Sequence, residues 1–163
     1  MKNLVLIGMP GAGKTTIGKQ LAARLHVPFY DMDDVIVKTT GKTIAELFAI
    51  SEDYFRQQET EVARALAQKK GVVIACGGGV IKREENMDLL GATGIIFFLN
   101  RDPEVIIKDV NITTRPLLAA GRQKITELYA QRYAYYMQYA DYVLPVEEPF
   151  STTVAKIIKC VQE

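Results

Sequence analysis

Short apolar runs rich in β-branched residues alternate along this chain with longer stretches of helical period. The runs lie at 4–7, 28–31, 72–75, 95–99 and 142–144. Each is apolar on both sides of the two-residue strand period, as in strands covered on both faces of a parallel sheet. Residues 15–25 place Ile17, Leu21 and Leu25 four apart, and 55–67 place Phe55, Val62, Ala63 and Leu66 on one helical face. Residues 125–139 and 153–161 also read as helices. Strands alternating with helices predict one α/β domain over residues 1–163, with about five parallel strands. No repeat, low-complexity tract or linker interrupts it. Two stretches fit the alternation poorly: 33–51 and 110–121, the latter punctuated by Pro116 and Gly121. Irregular insertions of this kind in compact α/β domains are often substrate loops or lids, and otherwise plain surface loops.

Composition narrows the class. The 163 residues set 20 Lys and Arg against 19 Asp and Glu, a net charge of +1 that argues against a broad basic surface for nucleic acid. Cys76 and Cys160 are too few for a disulfide scaffold. No apolar run approaches the roughly 20 residues of a membrane span. The expectation is a soluble, reduced, cytoplasmic monomer with neither nucleic-acid nor membrane partner.

The first chemical signal is Gly8-Met-Pro-Gly-Ala-Gly13-Lys14-Thr15, which matches G-x-x-x-x-G-K-[ST] between a predicted strand and a predicted helix. Glycines let successive N–H groups turn toward one anion, and the helix N-terminus adds partial positive charge. The motif assigns Gly11, Ala12, Gly13, Lys14, Thr15 and Thr16 to a nucleotide's phosphates, with Lys14 reaching the β- and γ-phosphates and the Thr15 hydroxyl on Mg²⁺.

Many nucleotide hydrolases hold the metal through an acidic residue after a buried strand. Here the run at 72–75 ends in Cys76-Gly77-Gly78-Gly79, without a carboxylate, and no Asn-Lys-x-Asp guanine pattern exists. The acidic partner is sought instead in Asp31-Met-Asp33-Asp34, after the second strand. Two residues apart in extended chain, Asp31 and Asp33 point to one side at the strand's carboxyl end, where α/β sheets bind ligands. Asp31 suits a metal-bound water and Asp33 a substrate hydroxyl; the alternative is that these acids cap the next helix. Gly77, Gly78 and Gly79 suit a place where a ligand lies against bare main chain, or simply a tight turn. Arg56, Arg115 and Arg132 carry forks that match carboxylate or phosphate, although Arg56 has a plain alternative in an exposed pair with Glu52. His26 reads as a solvated helix end, Cys76 as a small buried side chain, and Tyr129, Tyr133, Tyr136, Tyr139 and Tyr142 as packing.

In this order the signals resemble the shikimate kinase family: a phosphate loop, Asp31-Met-Asp33, Phe55-Arg56-Gln-Gln-Glu59, the triple glycine, Arg115-Pro116-Leu117 and Arg132-x-x-x-Tyr136. The likeness spans about residues 4–144 and implies a five-stranded parallel sheet with helices on both faces, kin to nucleoside monophosphate kinases. It implies ATP as donor, Mg²⁺ as cofactor and the 3-hydroxyl of shikimate as acceptor. Arg56 and Arg132 would then grip the shikimate carboxylate. Asp33 would meet the ring hydroxyls beside Gly77, Gly78 and Gly79, within an acceptor region at about 33–61. Lys14 and Arg115, the latter in a lid at about 110–121, would neutralise the moving phosphoryl group. Thr15 would hold Mg²⁺, with Asp31 acting through water. The chain departs from many relatives in having Lys108 before the Arg-Pro-Leu, and no arginine over 145–150; both positions concern adenine packing and lid contacts. Other readings of the same residues are a different small-metabolite or nucleoside monophosphate kinase, and a nucleotide-binding module without turnover.

Overall fold

A computed structural model describes residues 1–109 and 121–162. Five strands, β1 (Asn3–Ile7), β2 (Phe29–Asp31), β3 (Val73–Ala75), β4 (Gly94–Asn100) and β5 (Tyr142–Pro145), form one parallel sheet in the order β2-β3-β1-β4-β5. Among the described residues the α-helices are α1 (Lys14–Leu25), α2 (Met32–Thr40), α3 (Ile44–Ile50), α4 (Glu52–Ala67), α5 (Glu84–Thr93), α6 (Pro103–Asp109), α7 (Arg122–Tyr139) and α8 (Phe150–Gln162). None is long and apolar enough to cross a membrane.

The two-residue period divides the core. In β1, Leu4 and Leu6 join Ile17 and Leu21 of α1 and Val154 and Ile157 of α8; Val5 and Ile7 join α2, α4, α5 and α7 on the other face. In β4, Phe97 and Leu99 side with the first cluster, and Ile96 and Phe98 with the second. Burying each of these aliphatic side chains contributes roughly 1.5–3 kcal/mol, so the central strands anchor both layers. The expected two-sided burial fails at the sheet edges. β2 is half-buried, and Tyr142 and Val143 of β5 are exposed, because an edge strand has a neighbour on one side only.

The stretch at 33–51 is not irregular: it forms α2 and α3. Gly41 ends α2 at φ 69°. Thr43 and Glu46 form a reciprocal capping box that opens α3. Asp33 therefore lies in the first turn of α2 and not in extended chain beside Asp31. The sequence pattern does not predict helices α5 and α6 either. The segment predicted as a lid, and Arg115 with it, lies outside the described residues apart from Gly121, which precedes α7.

Candidate active site

The loops leaving β1, β2 and β3 open at the carboxyl edge of the sheet, where the chain switches direction around β1. A cavity of about 360 Å³ lies there. Its walls are residues 10–16 of the phosphate loop, Asp31, Asp33, Glu59, the main chain of 77–79, and the two guanidinium groups of Arg56 and Arg132. An apolar side is added by Ile44, Phe48 and Phe55.

The loop between β1 and α1 is a tight shell. Gly13 has φ 95°, which favours glycine, and a Cβ there would stand a tight 3.0 Å from the Phe150 ring. Lys14 opens α1 and is only 8% exposed. Its Nζ donates to the carbonyls of Gly8 (2.6 Å) and Met9 (2.8 Å). Burial pulls its pKa down to about 8, with Arg132 adding to the drop while Cys76, Asp33 and Asp31 oppose it. An anion at the loop would restore the ammonium.

Asp31 does two jobs at once. Its Oδ1 accepts from the N–H groups of Asp33 (2.9 Å) and Asp34 (3.3 Å), capping α2, and its Oδ2 accepts from the Thr15 hydroxyl at 2.8 Å. The capping alternative thus holds for Asp31, without excluding a place at the cavity. Asp33 lines the cavity with its pKa raised, first by burial and then by the neighbouring Asp31 carboxylate, against the pull of Lys14.

Arg56 does pair with Glu52, four residues back, but it is buried rather than exposed. It is 8% exposed, and Nη1 donates to the buried Glu59 carboxylate at 2.9 Å. The contact with Glu52 is longer, at 3.4 Å. Its guanidinium also lies over Phe55 (5.0 Å) and Phe48 (5.8 Å), two rings stacked on each other. Burial raises the Glu59 pKa and Arg56 counters it. No carboxylate among the described residues pairs with Arg132, leaving that fork open to the cavity.

The glycines at 77–79 make room first for the protein's own side chains. A Cβ on Gly79 would meet Arg56 Nη2 at 2.5 Å, and one on Gly78 would meet Pro10 at 2.7 Å and Arg132 Nη1 at 3.2 Å. The Tyr136 hydroxyl, with its pKa pushed up to about 12 by burial, donates to the Gly78 carbonyl at 2.6 Å. Tyr136 is therefore more than packing.

Two residues escaped the sequence reading. Glu59 was noted only as part of a pattern, yet it is the buried counter-charge that fixes Arg56. Arg101, just after β4, is 5% exposed and reaches the phosphate loop from behind, donating to the Gly11 carbonyl at 2.8 Å. Its place at the end of a strand adjoining β1 was the available signal.

This arrangement defines a phosphate-loop kinase fold. A family model described as shikimate kinase matches residues 10–162, and the chain belongs to that family. A shikimate kinase of Clostridium beijerinckii is 44% identical over 158 residues, covering 96% of this chain and 94% of that protein. The structure of an Acinetobacter baumannii shikimate kinase in complex with shikimate superposes with TM-score 0.92 at 33% identity, covering 99% of this chain and 93% of that one. An Aquifex aeolicus shikimate kinase gives TM-score 0.85 at 33% identity, over 98% and 96% of the two chains.

Proposed function

We propose that this chain is a cytoplasmic kinase of chorismate synthesis that moves the γ-phosphoryl group of ATP to the 3-hydroxyl of shikimate. One observation carries the reading: a single cavity joins the phosphate loop and Lys14 to Asp33, Arg56 and Arg132. A small acid bearing hydroxyls needs cations at one end and an acceptor carboxylate at the other, within reach of the donor phosphate. Arg56 and Arg132 take the substrate carboxylate. Glu59 keeps Arg56 in place, and the exposed Glu52 yields its long contact. Ile44, Phe48 and Phe55 face the ring carbons. Asp33 accepts hydrogen bonds from the ring hydroxyls beside 77–79, within an acceptor region at about 33–61.

Residues 11–16 hold the ATP phosphates through main-chain N–H groups and Lys14. The acceptor oxygen bonds to the γ-phosphorus as the bridging bond to ADP breaks. The hydroxyl proton passes to Asp33, whose raised pKa suits it, or to water; a loose transition state makes little demand on a base. Positioning and charge neutralisation by Lys14, and by Arg115 from the lid, supply most of the acceleration.

Mg²⁺ fits the donors present. The Thr15 hydroxyl and the Asp31 carboxylate are hard oxygen groups 2.8 Å apart at the cavity wall. Among the described residues there is no cluster of three or more His, Cys, Asp or Glu suited to a metal, and Mg²⁺ held largely by phosphates and waters needs none. Thr15 would hold the ion directly and Asp31 through water, and the bound ion would offset phosphate charge.

A coupled ADP-release assay with MgATP over shikimate, other hydroxy acids and nucleoside monophosphates tests this reading. Turnover is expected with shikimate far above the rest. Turnover with a nucleoside monophosphate and none with shikimate would overturn it.

A further inference from the structure

Behind the phosphate loop, on the side away from the acceptor, stands a cation that the reaction scheme above does not use. Arg101 Nη1 donates to the Gly11 carbonyl at 2.8 Å, across a separation of 90 residues. The N–H at the other end of the same peptide, on Ala12, donates to the Met9 carbonyl at 3.0 Å. Met9 is one of the two carbonyls that receive Lys14 Nζ. The Gly11–Ala12 peptide is thus pinned at both ends, with Arg101 as its only long-range anchor among the described residues.

The rest of the guanidinium is equally committed. Nη2 sits 2.9 Å from Glu148 and 3.0 Å from Asp109, the last residue of α6. The plane lies 5.4 Å over the Phe150 ring, which packs on the Leu4 and Leu6 side of the core and also fills the space where a Gly13 Cβ would stand. Arg101 therefore holds the loop twice: by a hydrogen bond at Gly11, and through Phe150 at Gly13. Its two carboxylate partners are exposed, so the burial of Arg101 is not explained by a buried counter-charge. A planar fork is needed for one group to make these contacts together; an ammonium cannot.

We propose that Arg101 is a positioning residue for nucleotide binding, clamping the phosphate loop to residues 148–150 and to the end of α6 so that its N–H groups are set for phosphate before the nucleotide arrives. The proposal deepens the kinase reading and rests on it. The clamp acts on the donor alone, because among the described residues no acceptor-side residue touches Arg101.

The test is calorimetric titration of MgADP, without acceptor, into wild type, R101M and R101K, alongside KM values for ATP and shikimate. Losing a charge-assisted hydrogen bond and the preset loop should weaken MgADP binding and raise the ATP KM about tenfold in R101M. The shikimate KM should stay within about twofold. R101K should recover little, and it carries the test if R101M does not fold. Wild-type MgADP affinity in a folded R101M, equal rises in both KM values, or full rescue by R101K would overturn the proposal. MgADP binding is read without the acceptor, so a wrong acceptor assignment leaves this measurement intact and shows instead as absent turnover with shikimate.

Discussion

The two ends of the cavity are built on different principles. The end proposed for the donor is one continuous segment, 8–15, which offers main-chain N–H groups and one lysine at a helix start. The end proposed for the acceptor gathers side chains from α2, α4 and α7 around the main chain of 77–79, and holds a buried ion pair between Arg56 and Glu59. Main-chain recognition tolerates side-chain change, whereas a convergent set of charges fails when one member is removed, because its partner is left buried and uncompensated. The donor end should therefore be sensitive to loop shape and to Lys14, and the acceptor end to any loss of charge pairing.

The largest expected effect joins stability to binding. Arg56→Ala leaves Glu59, 1% exposed, without its cation; about 3–5 kcal/mol of stability should be lost in denaturant unfolding, and the shikimate KM should rise steeply. Adding Glu59→Gln should return much of the stability and none of the KM. If both recover together, Arg56 serves the fold and not the substrate. Lys14→Ala should leave the fold intact and lower kcat by about 10²–10³, read in single-turnover kinetics. Gly79→Ala has backbone angles open to alanine (φ −98°, ψ 12°), so its effect is purely steric. The new Cβ meets the Arg56 guanidinium, and the shikimate KM should rise while the ATP KM stays put, at a stability cost of about 1–3 kcal/mol.

The smallest effect is a pH dependence confined to the donor end. Lys14 falls from an ordinary value of 10.5 to about 8 on folding. Above about pH 8 the nucleotide-free protein loses this ammonium, so the ATP KM should climb there, while kcat, read with phosphate in place, stays flat further up. Between about 8 and 10.5 the unfolded chain holds this proton and the folded chain does not. The Lys14 contribution to stability therefore rises with pH across that window and is least favourable below it. Lys14→Met should remove that slope from the unfolding free energy, as followed by urea titration.

The same contrast explains what could be read before the structure. The phosphate loop is contiguous, so its motif sufficed. The strands of the sheet centre announced themselves because both of their faces are buried. The acceptor residues were found as separate pieces whose spatial meeting no local pattern encodes, and they were joined through a family resemblance. Helix α3 was missed because only Leu47 is buried along it, too little for a period, although Thr43-x-x-Glu46 signals its start. Helix α6 likewise buries only Ile106, while Asp102-Pro103 marks its opening. Arg101 carries only a positional signal, the end of a strand beside β1, because its partners, Gly11, Asp109, Glu148 and Phe150, are scattered along the chain. The triple glycine at 77–79 reads in sequence as a bed for ligand or a tight turn; in the structure Gly78 and Gly79 first accommodate Pro10, Arg132 and Arg56.

The most direct measurement compares shikimate with its methyl ester as acceptor, in wild type and in Arg56→Ala, at saturating MgATP. The ester keeps every hydroxyl and loses only the carboxylate charge. The wild type should discriminate against the ester by about 10² or more in kcat/KM, and Arg56→Ala should narrow that ratio by at least about tenfold, since enzyme and substrate changes remove the same contact. Equal use of acid and ester by the wild type, or a ratio unchanged in the variant, would contradict a guanidinium-held carboxylate at the acceptor end.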